Sequence, residues 1–292
     1  KVHPELVHAM RLPYEGMAAA LADPAAPLLI SIWGNDFTLH ASRTPLTGRY
    51  TRLAMARTNA LHTDCRRDAR LALEWGFPQS RPLAVLPSGG GVQLDLFYPP
   101  EKALPVGTGT ARVEVINPRG LRAYVRNDTF FQAVPMVIEQ QPDVRFVCPG
   151  MAGTQAPARW LDRYGGGSSV SLLPKQTRQE MAGLFRRARI AVSLTAHDGT
   201  PNTLLEAMAS GCYPIAGDLE SLREWITPGI NGALVDPGNP REVADAILSA
   251  LDDPGRLASA ADFNLRLIQE KAEYRQVMAQ AEEFYGQLSQ KG

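Results

Sequence analysis

The stretch Ala196-His197-Asp198-Gly199-Thr200-Pro201-Asn202-Thr203-Leu204-Leu205-Glu206-Ala207-Met208-Ala209-Ser210-Gly211 decides how this chain is read. Just before it, Ile190-Ala191-Val192-Ser193-Leu194-Thr195 is a short apolar run rich in β-formers, the pattern of a buried parallel strand. Thr200 suits the N-cap of a following helix and Pro201 its first position, where a missing N–H does no harm. The N–H groups of Asn202 and Thr203 would then point out of the helix start, where the helix dipole adds partial positive charge suited to phosphate. Glu206 lies one turn further on, on the same face as Asn202 and Thr203. Asp198 and Glu206 therefore flank an anion cradle and fit contacts to neutral hydroxyls. Without a ligand, the same turn is simply a capped core helix with two solvated acids. Its place at the carboxyl edge of a strand, where open α/β sheets bind ligands, favours the binding reading.

The pattern around this βα unit repeats. Strands are expected at 113–116, 144–148, 170–173, 190–195, 213–216 and 233–235, with helices between them. Short apolar strands alternating with helices predict a parallel, doubly wound sheet covered on both faces. The helix beginning near Asp128 carries Phe130, Phe131, Val134, Val137 and Ile138 on one face, and Pro135 predicts a kink or interruption within it. Upstream, strands at 6–10, 28–33, 60–63 and 83–86 alternate with helices at 14–21, 46–57 and 65–75, a second α/β pattern. Between the two, 87–92 and 98–109 are rich in Gly and Pro and read as a linker. At the end, Tyr274, Val277, Met278, Ala281, Phe284 and Tyr285 recur at helical spacing. The expected division is a first Rossmann-like domain at 1–105, a second at 106–265, and a C-terminal helix at 266–292 packing back toward the first.

Composition narrows the function classes. The 292 residues carry 30 Lys plus Arg and 30 Asp plus Glu, so net charge is zero and no basic footprint for nucleic acid is present. Three cysteines, Cys65, Cys148 and Cys212, lie far apart without metal-ligand spacing and read as core residues of a protein from a reducing compartment. No apolar run approaches the roughly 20 residues of a membrane span. A cytoplasmic location is expected, with peripheral membrane contact left open. No G-x-G-x-x-G follows a strand, which argues against a nicotinamide-dependent dehydrogenase. No metal site and no cofactor are expected.

Two α/β domains imply a ligand in the cleft between them. Arg119, Arg122 and Arg126 follow the first strand of the second domain, and guanidinium groups suit a diphosphate. Arg119 and Arg126 are the stronger candidates; for Arg122 a solvated loop is an equal reading, and His197 is equally structural or ligand-facing.

These residues resemble a family. The run from Asp198 to Gly211, Pro214-Ile215-Ala216, Trp225-Ile226 and Gly229-Ile230-Asn231-Gly232 are similar to the C-terminal signature of retaining GT-B-fold glycosyltransferases of family 4. Gly90-Gly91-Val92 with Phe97-Tyr98-Pro99 resembles that family's interdomain segment, and Ile32-Trp33-Gly34-Asn35-Asp36 its acceptor-side loop. Asp198 stands where the family usually has Glu, Trp33 where it often has His, and six residues rather than five separate Arg119 from Arg126. Such enzymes normally open with a strand and Gly-rich turn, so the chain is expected to enter partway into the first domain.

The resemblance implies a GT-B architecture and transfer of a sugar from a nucleotide-diphosphate sugar to an acceptor, a lipid, glycan or small molecule, with retention of configuration. It implies catalytic roles for Arg119, Arg126 and Asp198. Gly199, Thr200, Pro201, Asn202, Thr203, Glu206 and Lys175 would bind the donor, with Glu206 on the ribose, and Trp33, Asn35 and Asp36 would lie on the acceptor side. The alternative is a non-catalytic nucleotide-sugar-binding module.

Overall fold

The computed structural model describes residues 3–101 and 113–289. The expected linker runs into 102–112, and its boundary near 105 lies outside the described residues. Two compact units form. The first takes His197–Asn202 and, among the described residues, 3–91 and 274–289; the second takes 92–101, 113–196 and 203–273.

In the first unit β1 (Val7–Ala9), α1 (Met17–Ala22), β2 (Leu28–Ile32), α2 (Pro45–Arg57), β3 (Ala60–Thr63), α3 (Arg66–Glu74) and β4 (Leu83–Val85) alternate. The strands pair in parallel in chain order. Because side chains alternate across a strand, Leu28, Ile30, Ile32 and Leu61 turn one way, onto Ala20, Ala54 and Met55 of α1 and α2. Leu29 and Ala60 turn the other way, onto Leu288 and Phe284. The helix expected over 14–21 starts only at Met17, because Pro13 is extended and Tyr14 is left-handed at φ 68°. Thr44 caps α2 by accepting from Thr47 N at 3.1 Å, with Pro45 next in line.

The second unit contains β5 (Glu114–Ile116), α4 (Asn127–Gln140), β6 (Arg145–Cys148), α5 (Gln155–Tyr164), β7 (Val170–Leu172), α6 (Arg178–Arg187), β8 (Ala188–Ser193), α7 (Asn202–Ala209), β9 (Tyr213–Gly217), β10 (Ala233–Val235), α8 (Pro240–Leu251) and α9 (Pro254–Lys271). The first residue of α7 groups with the first unit. Returning to that unit, α10 (Tyr274–Ser289) carries the Phe284 and Leu288 that cover its sheet. The six-stranded sheet runs β10-β9-β8-β5-β6-β7, all parallel. Val115, Phe146, Ile190, Val192 and Ile215 pack on one face, and Ile116, Val147, Ala191 and Ala216 on the other, so the doubly wound expectation holds. No described helix is long and apolar enough to cross a membrane.

Of the kink or interruption expected at Pro135, the interruption does not occur: α4 runs continuously from Asn127 to Gln140. An interior proline costs a helix about 3 kcal/mol through a lost hydrogen bond and a clash. Phe130, Phe131, Val134 and Val137 of α4 are all fully buried against the sheet and α8, and that burial offsets the loss.

Candidate functional site

The strand order of the second unit reverses between β5 and β8. Connections leaving two such neighbours diverge, and the crevice they leave is where doubly wound sheets bind ligands. The loop after β5 is rigidly held there. Buried Asn117 donates through Nδ2 to Asn127 Oδ1 at 2.9 Å, and Asn127 Nδ2 donates to Gly120 O at 2.9 Å. Arg126 N donates to Leu194 O at 2.8 Å and Ala196 N to Tyr124 O at 2.9 Å, which stitch the loop to the chain leaving β8.

The three arginines of this loop part company. Arg119 reaches α7, its Nη1 standing 3.4 Å from Thr203 Oγ1. Arg126 instead makes a two-pronged ion pair with Asp128, at 3.0 Å on each prong. That pair holds the Asp128 carboxyl below its usual range, through the Arg126 hydrogen bond above all. Together with Arg122 and Trp160 it lines an open hollow of about 440 Å³. Arg122 is exposed, 3.4 Å from the Tyr124 hydroxyl.

Glu206 rides on α7, whose Leu204, Leu205, Ala207 and Met208 are buried. Its side chain is only 14% exposed and lies 3.6 Å from Arg178 Nη2. Burial pushes the Glu206 carboxyl up to about 7, against the opposing pull of Arg178. Arg178 follows Thr177, which caps α6, and its guanidinium stands 5.5 Å over the Phe97 ring and donates to Gln93 Oε1 at 3.1 Å. Sequence reading missed Arg178, since a first-turn arginine on an amphipathic helix carries no sign of its partner. Lys175 is exposed in the stretch between β7 and α6.

The turn His197–Asn202 packs in the first unit, and Asp64, Arg67 and Asp68 hold it there. Thr200 Oγ1 donates to Asp64 O at 2.6 Å, and Thr200 N to Asp64 Oδ2 at 3.3 Å. Arg67 donates to Asp198 O at 2.7 Å, to Gly34 O at 2.6 Å and to Asp68 Oδ1 at 2.9 Å. This corrects the expected cap: α7 starts at Asn202, Pro201 lies outside it, and the Thr200 hydroxyl is directed to Asp64. Asp64, Cys65 and Asp68 hold ligand atoms within 4.8 Å of one another, but Arg67 Nη2 stands 2.8 Å from Asp68 and burial pushes the Cys65 thiol up. The donor set thus serves Thr200 and Arg67. Asp64 and Arg67 were not legible as site-shaping residues, because their partners are 131 to 136 residues away.

Two glycines permit this packing by lacking a side chain. A Cβ on Gly34 would fall 1.6 Å from Gly199 N, and one on Gly199 would fall 2.1 Å from Asp64 Oδ1. Backbone cannot retreat as a flexible side chain can, so Gly34→Ala should cost about 2 kcal/mol as an overpacking change. Urea unfolding checks this, and an unchanged midpoint would contradict the close approach.

The loop after β2 holds the expected acceptor-side residues. Trp33 is 45% exposed, with the Arg11 guanidinium 5.9 Å from its ring centre. Asn35 Oδ1 accepts from Arg11 Nη2 at 3.4 Å. Asp36 is fully buried and accepts from Leu12 N at 3.1 Å, Trp33 N at 3.0 Å and Arg11 Nε at 3.3 Å. Burial still pushes its carboxyl up to about 6. Asp36 therefore fastens the loop rather than facing outward. His197 is partly buried.

Comparison with known proteins adds to this geometry. Residues 120–253 match the family model described as glycosyl transferases group 1. D-inositol 3-phosphate glycosyltransferase of Thermobispora bispora is 29% identical over 199 residues, 62% of this chain and 45% of that protein. The chain thus spans about half the length of the curated relatives it matches. Among solved structures, sucrose-phosphate synthase from Thermosynechococcus elongatus superposes with TM-score 0.80 at 17% identity, over 99% of this chain and 74% of that one. Anabaena HepE in complex with UDP gives TM-score 0.80 at 15% identity, over 97% and 78%. These likenesses establish the fold as GT-B, and residues 120–253 are similar to the group 1 glycosyl transferases.

Proposed function

We propose that this chain is a glycosyltransferase that moves a sugar from a nucleotide-diphosphate sugar to an acceptor hydroxyl with retention of configuration. The observation that carries the reading is the pairing, beside the β5/β8 switch point, of Arg119 on Thr203 with the sheltered Glu206 one turn along α7. HepE, of like fold, was solved with UDP, which supports a nucleotide donor.

In this proposal Glu206 accepts hydrogen bonds from the ribose hydroxyls, and Arg178 opposes the burial that favours its protonated form. The backbone from Gly199 to Thr203 meets the diphosphate and sugar, Asp198 the sugar hydroxyls, and Lys175 adds positive charge. Arg119 offsets the charge that builds on the leaving phosphate, the type of preorganised term that dominates many rate enhancements. Arg126, clamped by Asp128, serves the phosphate as part of an ion pair. As the C1–O bond to phosphate breaks, its electrons pass to the phosphate, which takes the acceptor proton while the new C1–O bond forms on the same face. Trp33 and Asn35 face the acceptor, with Asp36 holding their loop in shape.

The test is nucleotide-diphosphate affinity against pH. With the Glu206 carboxyl near 7, it is protonated below that pH and ionised above it, so binding should tighten as pH rises. If only the carboxylate binds, the affinity should fall about tenfold from pH 8 to pH 6. Calorimetry on Glu206→Gln should show weaker binding and lose the part of this dependence that Glu206 supplies. The same profile in wild type and variant would remove Glu206 from the donor site.

A further inference from the structure

The first unit contains a cavity of about 270 Å³ between its sheet and α10, walled by Leu29, Trp33, Met278 and Phe284 among others. One polar seam crosses its floor. His8 Nε2 lies 2.8 Å from Ser31 Oγ, Ser31 Oγ 2.9 Å from His62 Nδ1, and His62 Nε2 3.0 Å from Leu86 O. At the other end the Tyr285 hydroxyl bonds His8 Nδ1.

The chemistry of these groups fixes the direction of every proton. A carbonyl only accepts, so His62 carries its proton on Nε2 and accepts on Nδ1 from the Ser31 hydroxyl. With that proton committed, Ser31 accepts from His8 Nε2–H, and His8 Nδ1 accepts from the Tyr285 hydroxyl. This holds for neutral imidazoles, and burial favours that form at both: His8 is pulled down to about 4 and His62 is lowered. The seam therefore ends at a Tyr285 oxygen whose proton is in use and which can only accept, on a side chain 38% exposed.

We propose that this cavity binds an uncharged, mostly hydrocarbon molecule that presents one hydroxyl, which donates to Tyr285. A space of roughly 150 Å³ is enough for benzene, so this cavity takes a chain or ring system of about twice that size. A carboxylate would enter without a positive partner, at the desolvation penalty of an unpaired charge. The cavity shares Trp33 with the acceptor-side loop, but its test reads the binding of simple alcohols and needs no glycosyl transfer.

Calorimetry on the whole chain with 1-octanol, 1-methoxyoctane and octanoate tests it. The alcohol should bind saturably, the ether about fivefold more weakly for want of the donor, and octanoate weaker still. Tyr285→Phe, which keeps the ring, should bring the alcohol down to the level of the ether and leave the ether unchanged. Ala281→Phe, which fills the space, should abolish binding of all three. Equal binding of alcohol and ether, equal losses for both in Tyr285→Phe, or no saturable binding of the alcohol overturns the proposal.

Discussion

Arg119→Ala should lower kcat for glycosyl transfer by about 10² to 10³-fold, the loss of roughly 2.7–4 kcal/mol expected when one preorganised donor is removed from a developing anion. The loop that carries Arg119 is fixed by the Asn117–Asn127–Gly120 hydrogen bonds, so the guanidinium is aimed before any ligand arrives. Its Nη1 stands 3.4 Å from Thr203 Oγ1, a weak contact to a neutral hydroxyl. Nucleotide binding should suffer less than turnover, because the charge on the leaving phosphate grows in the transition state. Arg119→Lys should restore only part of the rate, since a point charge replaces a planar fork. Steady-state kinetics with a competent donor and acceptor measures this, and a KM change with constant kcat would reduce Arg119 to ground-state binding.

Arg67→Ala should destabilise the folded chain by about 3–5 kcal/mol, the usual cost of leaving a buried charge without its partner. Arg67 is 7% exposed and its partner Asp68 is wholly buried. The same guanidinium donates to the carbonyls of Asp198 and Gly34, so the truncation also removes a hydrogen bond from each. Asp68→Asn in the Arg67→Ala background should recover part of the loss, because it removes the buried negative charge that Arg67 faces. Urea denaturation with a fixed m-value reads both variants. A loss under about 1 kcal/mol would place the pair among ordinary surface salt bridges.

How much of this was legible in the residues depends on the range of the interaction. The strands of both sheets lie within about two residues of the apolar runs that signalled them, since burial on both faces leaves a continuous hydrophobic record. Tail residues 274–285 are helical as their spacing indicated. An interruption at Pro135 did not follow because local propensity competes with burial, which spacing alone does not weigh. Thr200 was misread for the same kind of reason: a capping hydroxyl and a hydroxyl bonded to a distant carbonyl look alike in one dimension.

The alternation of short apolar strands with amphipathic helices was sufficient for the parallel α/β character of both units and for the doubly wound sheet of the second, because side-chain periodicity is a local property that folding must satisfy. Asp198, Glu206 and the arginines after β5 were likewise visible as chemistry at strand ends. Tertiary structure alone determined which of them meet. It turned Arg119 to Thr203 and Arg126 to Asp128, set Arg178 beside Glu206, and locked Thr200 onto Asp64 across 136 positions. Those choices rest on three-dimensional packing, on burial that raises the Glu206 and Asp36 carboxyls and on glycines that admit close backbone contact, none of which leaves a periodic trace in the chain.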